Sequence, residues 1–336
     1  MLRLPWFDYR APRSVAEAAR ILAGEGPQAM LVAGGTDLLP NMKRRHQTPK
    51  VLVSLRGISS LKSISNGNGL TLGAGLTLSE TINIEKIPTA LRQATAQIAT
   101  PHLRNMGTLG GNLCLDTRCT YYNQNYEWRQ AIGFCLKKDG QTCWVATASK
   151  RCVAVSSTDT APALIALNAS VVLESGSGTR EIPVETLYKN DGIEYLSRRP
   201  DEILTSVKIP RNDFKSTYWK LRRRGSFDFP ILGVAVALRF DSKNEIQEAR
   251  VALGASASRP FLVEKASRYL IGKKLTDEVI AEASELVANR AKPMDNTDMD
   301  LYWRKEVADD FAGYALRELR GDDMSAVRLR VARTLP

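Results

Sequence analysis

The 336-residue chain is 43% hydrophobic and 25% charged, the composition of an ordinary soluble globular protein, and it is long enough for two or three domains. Its formal net charge of +11 suits nucleic acid, an anionic surface or an acidic protein partner, yet no recognition helix, RNP or zinc-finger pattern accompanies the charge. No apolar run approaches the roughly 18 residues of a membrane helix, and no signal-peptide pattern opens the chain, so the expectation is a cytoplasmic protein binding neither membrane nor nucleic acid.

In chain order, Ser14 to Leu22 reads as a helix, with Ser14 as N-cap, Glu17 three residues on and apolar residues at helical spacing. Ala29 to Ala33 is a short apolar strand that runs into Gly34-Gly35-Thr36-Asp37, and Val51 to Leu55 is a second strand. Helices are expected from about Ser79 and over about Ala90 to Ala99, followed by a second glycine motif, Thr108-Leu-Gly-Gly-Asn112. The pattern then breaks until Ser156 and resumes as a helix from Asp159 and a strand at Ser170 to Glu174. A segment of about 113–155 therefore reads as an insertion.

A boundary falls near Pro210 to Asp213. Beyond it Ser216 to Leu221, Leu232 to Phe240 and Glu248 to Ala255 alternate as three antiparallel strands. Helical runs follow near Phe261–Ile271, Asp277–Arg290 and Met299–Arg320, so the last third is α+β. No internal repeat or low-complexity tract is present.

Glycines without Cβ let backbone N–H groups approach a phosphate closely, and the hydroxyls of Thr36 and Thr108 add donors. Neither motif is a Rossmann or P-loop fingerprint, and each alone also reads as a plain turn. The two together would suit the two ends of a diphosphate.

Four of the five cysteines, Cys119, Cys135, Cys143 and Cys152, are spread through the body of the insertion. Thiols stay reduced in the expected compartment, so these four read as metal ligands and make one complete coordination set. The spacings match neither the paired C-x₂₋₄-C of structural zinc nor the common ferredoxin patterns, so spacing leaves the metal open between an iron–sulfur cluster and zinc. Cys114, between Leu113 and Leu115, reads as a small buried hydrophobe. Six basic residues of this stretch (Arg118, Arg129, Lys137, Lys138, Lys150, Arg151) against three acidic ones make the segment basic. No Ser/His/Asp or paired-carboxylate arrangement marks a catalytic residue.

Ala33 to Lys43 followed by Arg104 to Asn112, with Phe7-x-Tyr9-x-x-Pro12 near the start and Tyr302-x-Arg-Lys near the end, resembles the FAD-binding subunits of the xanthine oxidase family of molybdenum hydroxylases over nearly the whole chain. The family's Ser-Pro-x-x-Asp segment stands here as Val155-Ser-Ser-Thr-Asp159, displaced by the insertion. An insertion with four cysteines at this point is similar to the β subunits of 4-hydroxybenzoyl-CoA reductases, which carry an extra [4Fe–4S] cluster. The resemblance implies an α+β fold. A two-subdomain FAD-binding domain spans 1–213 (about 1–56 and 57–213, with the iron–sulfur insertion), and a smaller α+β domain with a three-stranded antiparallel sheet spans 214–336.

The resemblance further implies an FAD diphosphate held by Leu31, Val32, Ala33, Gly34, Gly35, Thr36, Asp37 and Leu38, and by Thr108, Gly111 and Asn112. Asp159, with Thr158 beside it, would accept hydrogen bonds from FAD hydroxyls, and Lys220 would approach the flavin ring. Ile98, Ala99 and Leu204 would supply apolar contact, and Cys119, Cys135, Cys143 and Cys152 would ligate the [4Fe–4S] cluster. The implied partners are a molybdenum-cofactor large subunit and a [2Fe–2S] small subunit, as a dimer of heterotrimers. The implied activity is reductive dehydroxylation of 4-hydroxybenzoyl-CoA to benzoyl-CoA with electrons from reduced ferredoxin. Two other readings stay beside it: an ordinary molybdenum hydroxylase subunit passing electrons to NAD or quinone with zinc in the insertion, and a basic zinc-stabilised adaptor whose glycine loops are turns.

Overall fold

In the computed structural model the described residues are 2–211 and 213–333; Met1, Asn212 within the expected boundary, and 334–336 lie outside them. Three sheets follow one another along the chain. The first is parallel, β1 (Asp8–Arg10) and β2 (Ala29–Val32) flanking β3 (Val51–Ser54). The helix Val15–Glu25 provides the crossover. Ser14 Oγ accepts from Glu17 N at 3.1 Å, satisfying one orphan donor of the first turn, and Glu17 Oε2 accepts from Arg13 N, just ahead of the cap, at 2.8 Å. Ala18, Ala19 and Leu22 face inward against Val51 and Val53.

The second sheet is antiparallel and five-stranded: β4 (Ile64–Gly67), β5 (Gly69–Gly73), β6 (Ser170–Ser175), β7 (Gly178–Pro183) and β8 (Ile203–Pro210) in the order β4-β5-β8-β6-β7. Two neighbours in that order, β5 and β8, are separated in sequence by the second glycine motif, the cysteine insertion and the β6–β7 hairpin.

The third sheet runs β12-β11-β10-β9, from β9 (Lys215–Leu221), β10 (Leu232–Phe240), β11 (Ile246–Gly254) and β12 (Phe261–Leu262). It has four strands rather than three. The expected helix at Phe261–Ile271 begins only at Glu264, because Phe261 and Leu262 pair with Leu253 and Ala252 at the sheet edge before the chain turns helical.

Side-chain alternation along β10 decides where this sheet sits. Val234, Val236 and Leu238 point into a core with the C-terminal helices Asp277–Arg290 and Leu301–Arg320, while Ala235 and Ala237 join the core of the preceding region. Alanine on the second face lets the helices Thr89–Ala96 and Thr160–Ala166 approach closely. The third sheet is thus a layer shared by two cores, which explains why β10 reads as a continuous apolar run.

The insertion is tied off at its base. Arg118 and Val155 exchange backbone hydrogen bonds of 2.8 and 2.7 Å, so the segment leaves and rejoins the fold at one point. Inside it a single short helix, Tyr126–Ala131, is capped by Asn125 Oδ1 from Trp128 N at 2.8 Å.

Candidate functional site

A cleft of about 530 Å³ opens where the first two sheets meet. Its floor is the pair of glycine motifs, which the fold presses together. A Cβ built on Gly34 would stand 2.0 Å from the Met106 carbonyl oxygen, so only glycine permits this contact between loops some seventy residues apart. Gly35, with φ of 70°, turns the chain from β2 into the helix Leu38–Lys43. Among the described residues, the backbone N–H groups of Gly34, Gly35 and Thr36 meet no acceptor in the chain. Such a run of unpaired donors lining a cleft is a cradle for an anion.

The second motif is organised by Thr108, whose Oγ1 accepts from Gly111 N at 3.0 Å. Asn112 Oδ1 is spent on Thr158 Oγ1 at 2.8 Å, Thr160 Oγ1 at 2.6 Å and Thr160 N at 3.2 Å. Its amide NH₂ is therefore the group left to face a ligand. Leu31, Val32, Ala33, Asp37, Leu38, Ile98, Ala99, Asp159 and Leu204 also border the cleft, with the loop residues Phe227 and Phe229 at its mouth.

Two expected residues stand back from the cleft wall. Thr158 bonds to Asn112 and acts through it. Lys220 is buried and gives its three donors to Asp159 Oδ2 at 3.0 Å, Gln97 O at 3.0 Å and Asp228 O at 2.9 Å. Its geometry makes it a support for Asp159. Tyr218, which the sequence reading passed over, donates to Asp159 Oδ1 at 2.8 Å. Burial pushes the Asp159 carboxyl up and the Lys220 ammonium down, each opposed by the other's charge. Tyr218 carried no signal beyond an apolar alternating strand; only the packing of β9 against the first core brings it to Asp159.

The four cysteines of the insertion converge. Cys119, Cys135, Cys143 and Cys152 are all buried and line one small pocket with Leu136, Lys137 and Trp144. Burial pushes the Cys119 thiol up to about 12 and the Cys152 thiol up to about 11, and each feels the charge of two other cysteines of the group. Cys119 and Cys152 held this way are poor thiolates by themselves, and a cationic centre among the four sulfurs would favour their ionised form, which is the chemistry of a metal site. Among the described residues no three His, Cys, Asp or Glu side chains are set to hold a single metal ion. Cys114 is outside the group, packed against the main core.

The sequence reading counts the basic residues of the insertion as one class, and here the structure corrects it. Arg118, Arg129 and Lys137 have side chains only 8%, 1% and 6% exposed, and each is paired. Arg118 reaches the first glycine loop, where it pairs with Asp37 and donates to Asn41 Oδ1 at 3.3 Å. Half of the expected positive surface is therefore internal: Arg129 pairs within the insertion, and Arg118 and Lys137 tie it to residues lining the cleft.

Comparison with known proteins agrees with this architecture. Residues 5–212 match the family described as FAD binding domain in molybdopterin dehydrogenase, and residues 216–319 match the CO dehydrogenase flavoprotein C-terminal domain. An aldehyde oxidoreductase FAD-binding subunit of Escherichia coli is 31% identical, with 85% of this chain and 93% of that one aligned. The carbon monoxide dehydrogenase medium chain of Hydrogenophaga pseudoflava is 27% identical over 93% and 96% of the two chains. The solved carbon monoxide dehydrogenase of that organism superposes with a TM-score of 0.76 at 26% identity, covering 94% of this chain and 97% of that one. Quinoline 2-oxidoreductase of Pseudomonas putida 86 gives 0.75 at 25% identity over 95% and 98%. The chain belongs to the FAD-binding medium subunits of the molybdenum hydroxylase family, and is an oxidoreductase subunit.

Proposed function

We propose that this chain is the FAD-carrying electron-transfer subunit of a molybdenum enzyme, working with a molybdenum-binding large subunit and a [2Fe–2S] small subunit as a dimer of heterotrimers. The observation that carries this is the cleft in which two glycine loops close on each other and leave unpaired N–H donors. Bound FAD would supply the exchange between two-electron and one-electron transfer. The chain's own residues bind and orient it. Gly34 to Thr36, with Thr108, Gly111 and Asn112, grip the diphosphate. Leu31, Val32, Ala33, Leu38, Ile98, Ala99 and Leu204 exclude water. Asp159 accepts from ligand hydroxyls, held in place by Lys220 and Tyr218. Asp37 is kept in register by Arg118. The activities of the relatives, on carbon monoxide and aldehydes, support outward flow from molybdenum through FAD to NAD or a quinone.

A second reading has its own observation: four buried cysteines around one pocket. Among the described residues no three such side chains are set to hold a single metal ion, which favours a [4Fe–4S] cluster over zinc. On this reading the insertion would receive electrons from reduced ferredoxin, and bound FAD would relay them towards a molybdenum subunit that removes the hydroxyl of 4-hydroxybenzoyl-CoA. The insertion lies against the cleft through Arg118 and Asp37, which supports direct exchange between the two centres.

The deciding experiment is iron, sulfide, zinc and flavin analysis of the anaerobically purified complex, with EPR after reduction. About four iron and four sulfide beside one flavin, with ferredoxin reducing that flavin, supports the reductase. One zinc, or direct flavin reduction by NADH, supports the dehydrogenase. Cys135→Ser should lose iron and keep flavin, and normal transfer from ferredoxin in that variant overturns the cluster's role.

A further inference from the structure

The cysteine pocket and the cleft share a wall. Lys137 borders the pocket and Asp116 borders the cleft. Lys137 Nζ lies 2.8 Å from Asp116 Oδ1, with the two side chains 6% and 5% exposed. The same ammonium donates to Thr117 Oγ1 at 2.8 Å and to the Gly192 carbonyl at 2.6 Å, and lies 4.7 Å from the centre of the Tyr122 ring. Three donors meet three acceptors, and none is left for solvent.

Gly192 fixes how near this cation stands to the sulfurs. Its amide donates to Cys152 O at 2.8 Å, and a Cβ there would lie 2.6 Å from Cys152 Sγ. The residue that anchors the ammonium is thus the one packed on a candidate ligand.

Burying an ammonium is costly, and a clamp between the insertion and the 192 loop needs only a neutral donor. We propose that Lys137 is a positioning residue that raises the reduction potential of a four-iron centre held by Cys119, Cys135, Cys143 and Cys152, with Asp116 moderating its charge. The inference rests on the cluster reading given above. Reduction of such a centre adds one electron, with no bond made or broken and no proton taken up. A fixed cation in low dielectric therefore stabilises the reduced form.

The test is an EPR-monitored redox titration of the intact complex, with dithionite as reductant, for wild type, Lys137→Gln, Lys137→Arg, Asp116→Asn and Lys138→Gln. At a fixed applied potential, the reduced-to-oxidised ratio should fall about tenfold in Lys137→Gln, a shift of about 59 mV for a one-electron couple. Lys137→Arg should stay near wild type. Asp116→Asn should move the other way, because the cation loses its counter-charge. Lys138→Gln removes the same charge from a neighbour whose side chain is 34% exposed, and should change the ratio less than twofold. Equal potentials in Lys137→Gln and wild type at full iron content overturn the inference. Should Lys137→Gln lose its iron, Asp116→Asn decides, and the absence of a positive shift there overturns it too. A wild-type complex without iron and sulfide overturns both this inference and the cluster reading, and the iron analysis tells the two failures apart.

Discussion

At the scale of single residues, two positions make quantitative demands. Gly34 has backbone where any side chain would go, so Gly34→Ala must separate the glycine loops. The expected result is loss of bound flavin at nearly unchanged secondary structure, read from the absorbance at 450 nm against circular dichroism; full flavin occupancy in the variant would sink the role given to this contact. His46 stacks on Tyr122 at 4.2 Å between ring centres and contacts Gln124 O at 3.2 Å through Nε2. Burial, helped by Arg129 and Arg44 nearby, lowers its pKa from 6.5 to about 4. The unfolded chain takes up a proton near pH 6.5 that the folded chain refuses until about pH 4. Stability from this group is therefore complete above that window and is lost as acid is added through it, by roughly 2 kcal/mol. Urea titrations from pH 7 to 4.5 should show the decline, and His46→Gln should flatten it. A slope unchanged by the substitution would mean other groups set the acid limit.

At the scale of elements, periodicity carried most of what was legible. The apolar runs at Ala29, Val51, Ser170, Leu232 and the helix at Asp277–Arg290 stand where the pattern puts them. The misplaced element is the start of the helix at Glu264, since two residues captured as an edge strand leave no trace in composition. The insertion reads as a patternless stretch, and its order comes from buried polar ties such as Lys137–Asp116 and Asn296 Nδ2 to Val153 O at 2.5 Å. Because Arg118 and Val155 already pair, replacing 119–154 by a two-residue Asn-Gly turn should leave flavin content intact and abolish iron content. Loss of flavin from that excised protein would show that the insertion builds the cleft as well as adjoining it.

At the scale of the whole molecule, the cleft draws its lining from the first loop region, from Ile98 to Asp116, from Ser157 and Asp159, from Tyr195 to Leu204 and from the Phe227–Phe229 loop. A ligand there would touch the first two sheets' loops and the loop between β9 and β10, while the strands and helices beyond Phe229 do not line it. FAD at one hundred times its Kd should stabilise the fold by about 2.7 kcal/mol and raise one cooperative melting transition by several degrees. Two transitions, only one of them moving with FAD, would show that the C-terminal sheet and helices do not share in the ligand's stabilisation, despite the common layer formed by β10. Among the described residues no helix is long and apolar enough to cross a membrane.

The sequence by itself determined the local structure and the chemical inventory: period-2 and period-3.6 stretches, two glycine motifs with hydroxyls, and four clustered cysteines. Those are properties of neighbours along the chain, and short-range sterics and solvation set them. Tertiary structure decided which of these parts meet. It pressed Gly34 onto Met106, turned Lys220 from the cleft towards Asp159 and Tyr218, and buried three charges of the insertion that composition counts as surface. Such contacts join residues far apart in sequence. Their partners are selected by packing and by the cost of leaving a buried charge unpaired, neither of which any one segment records.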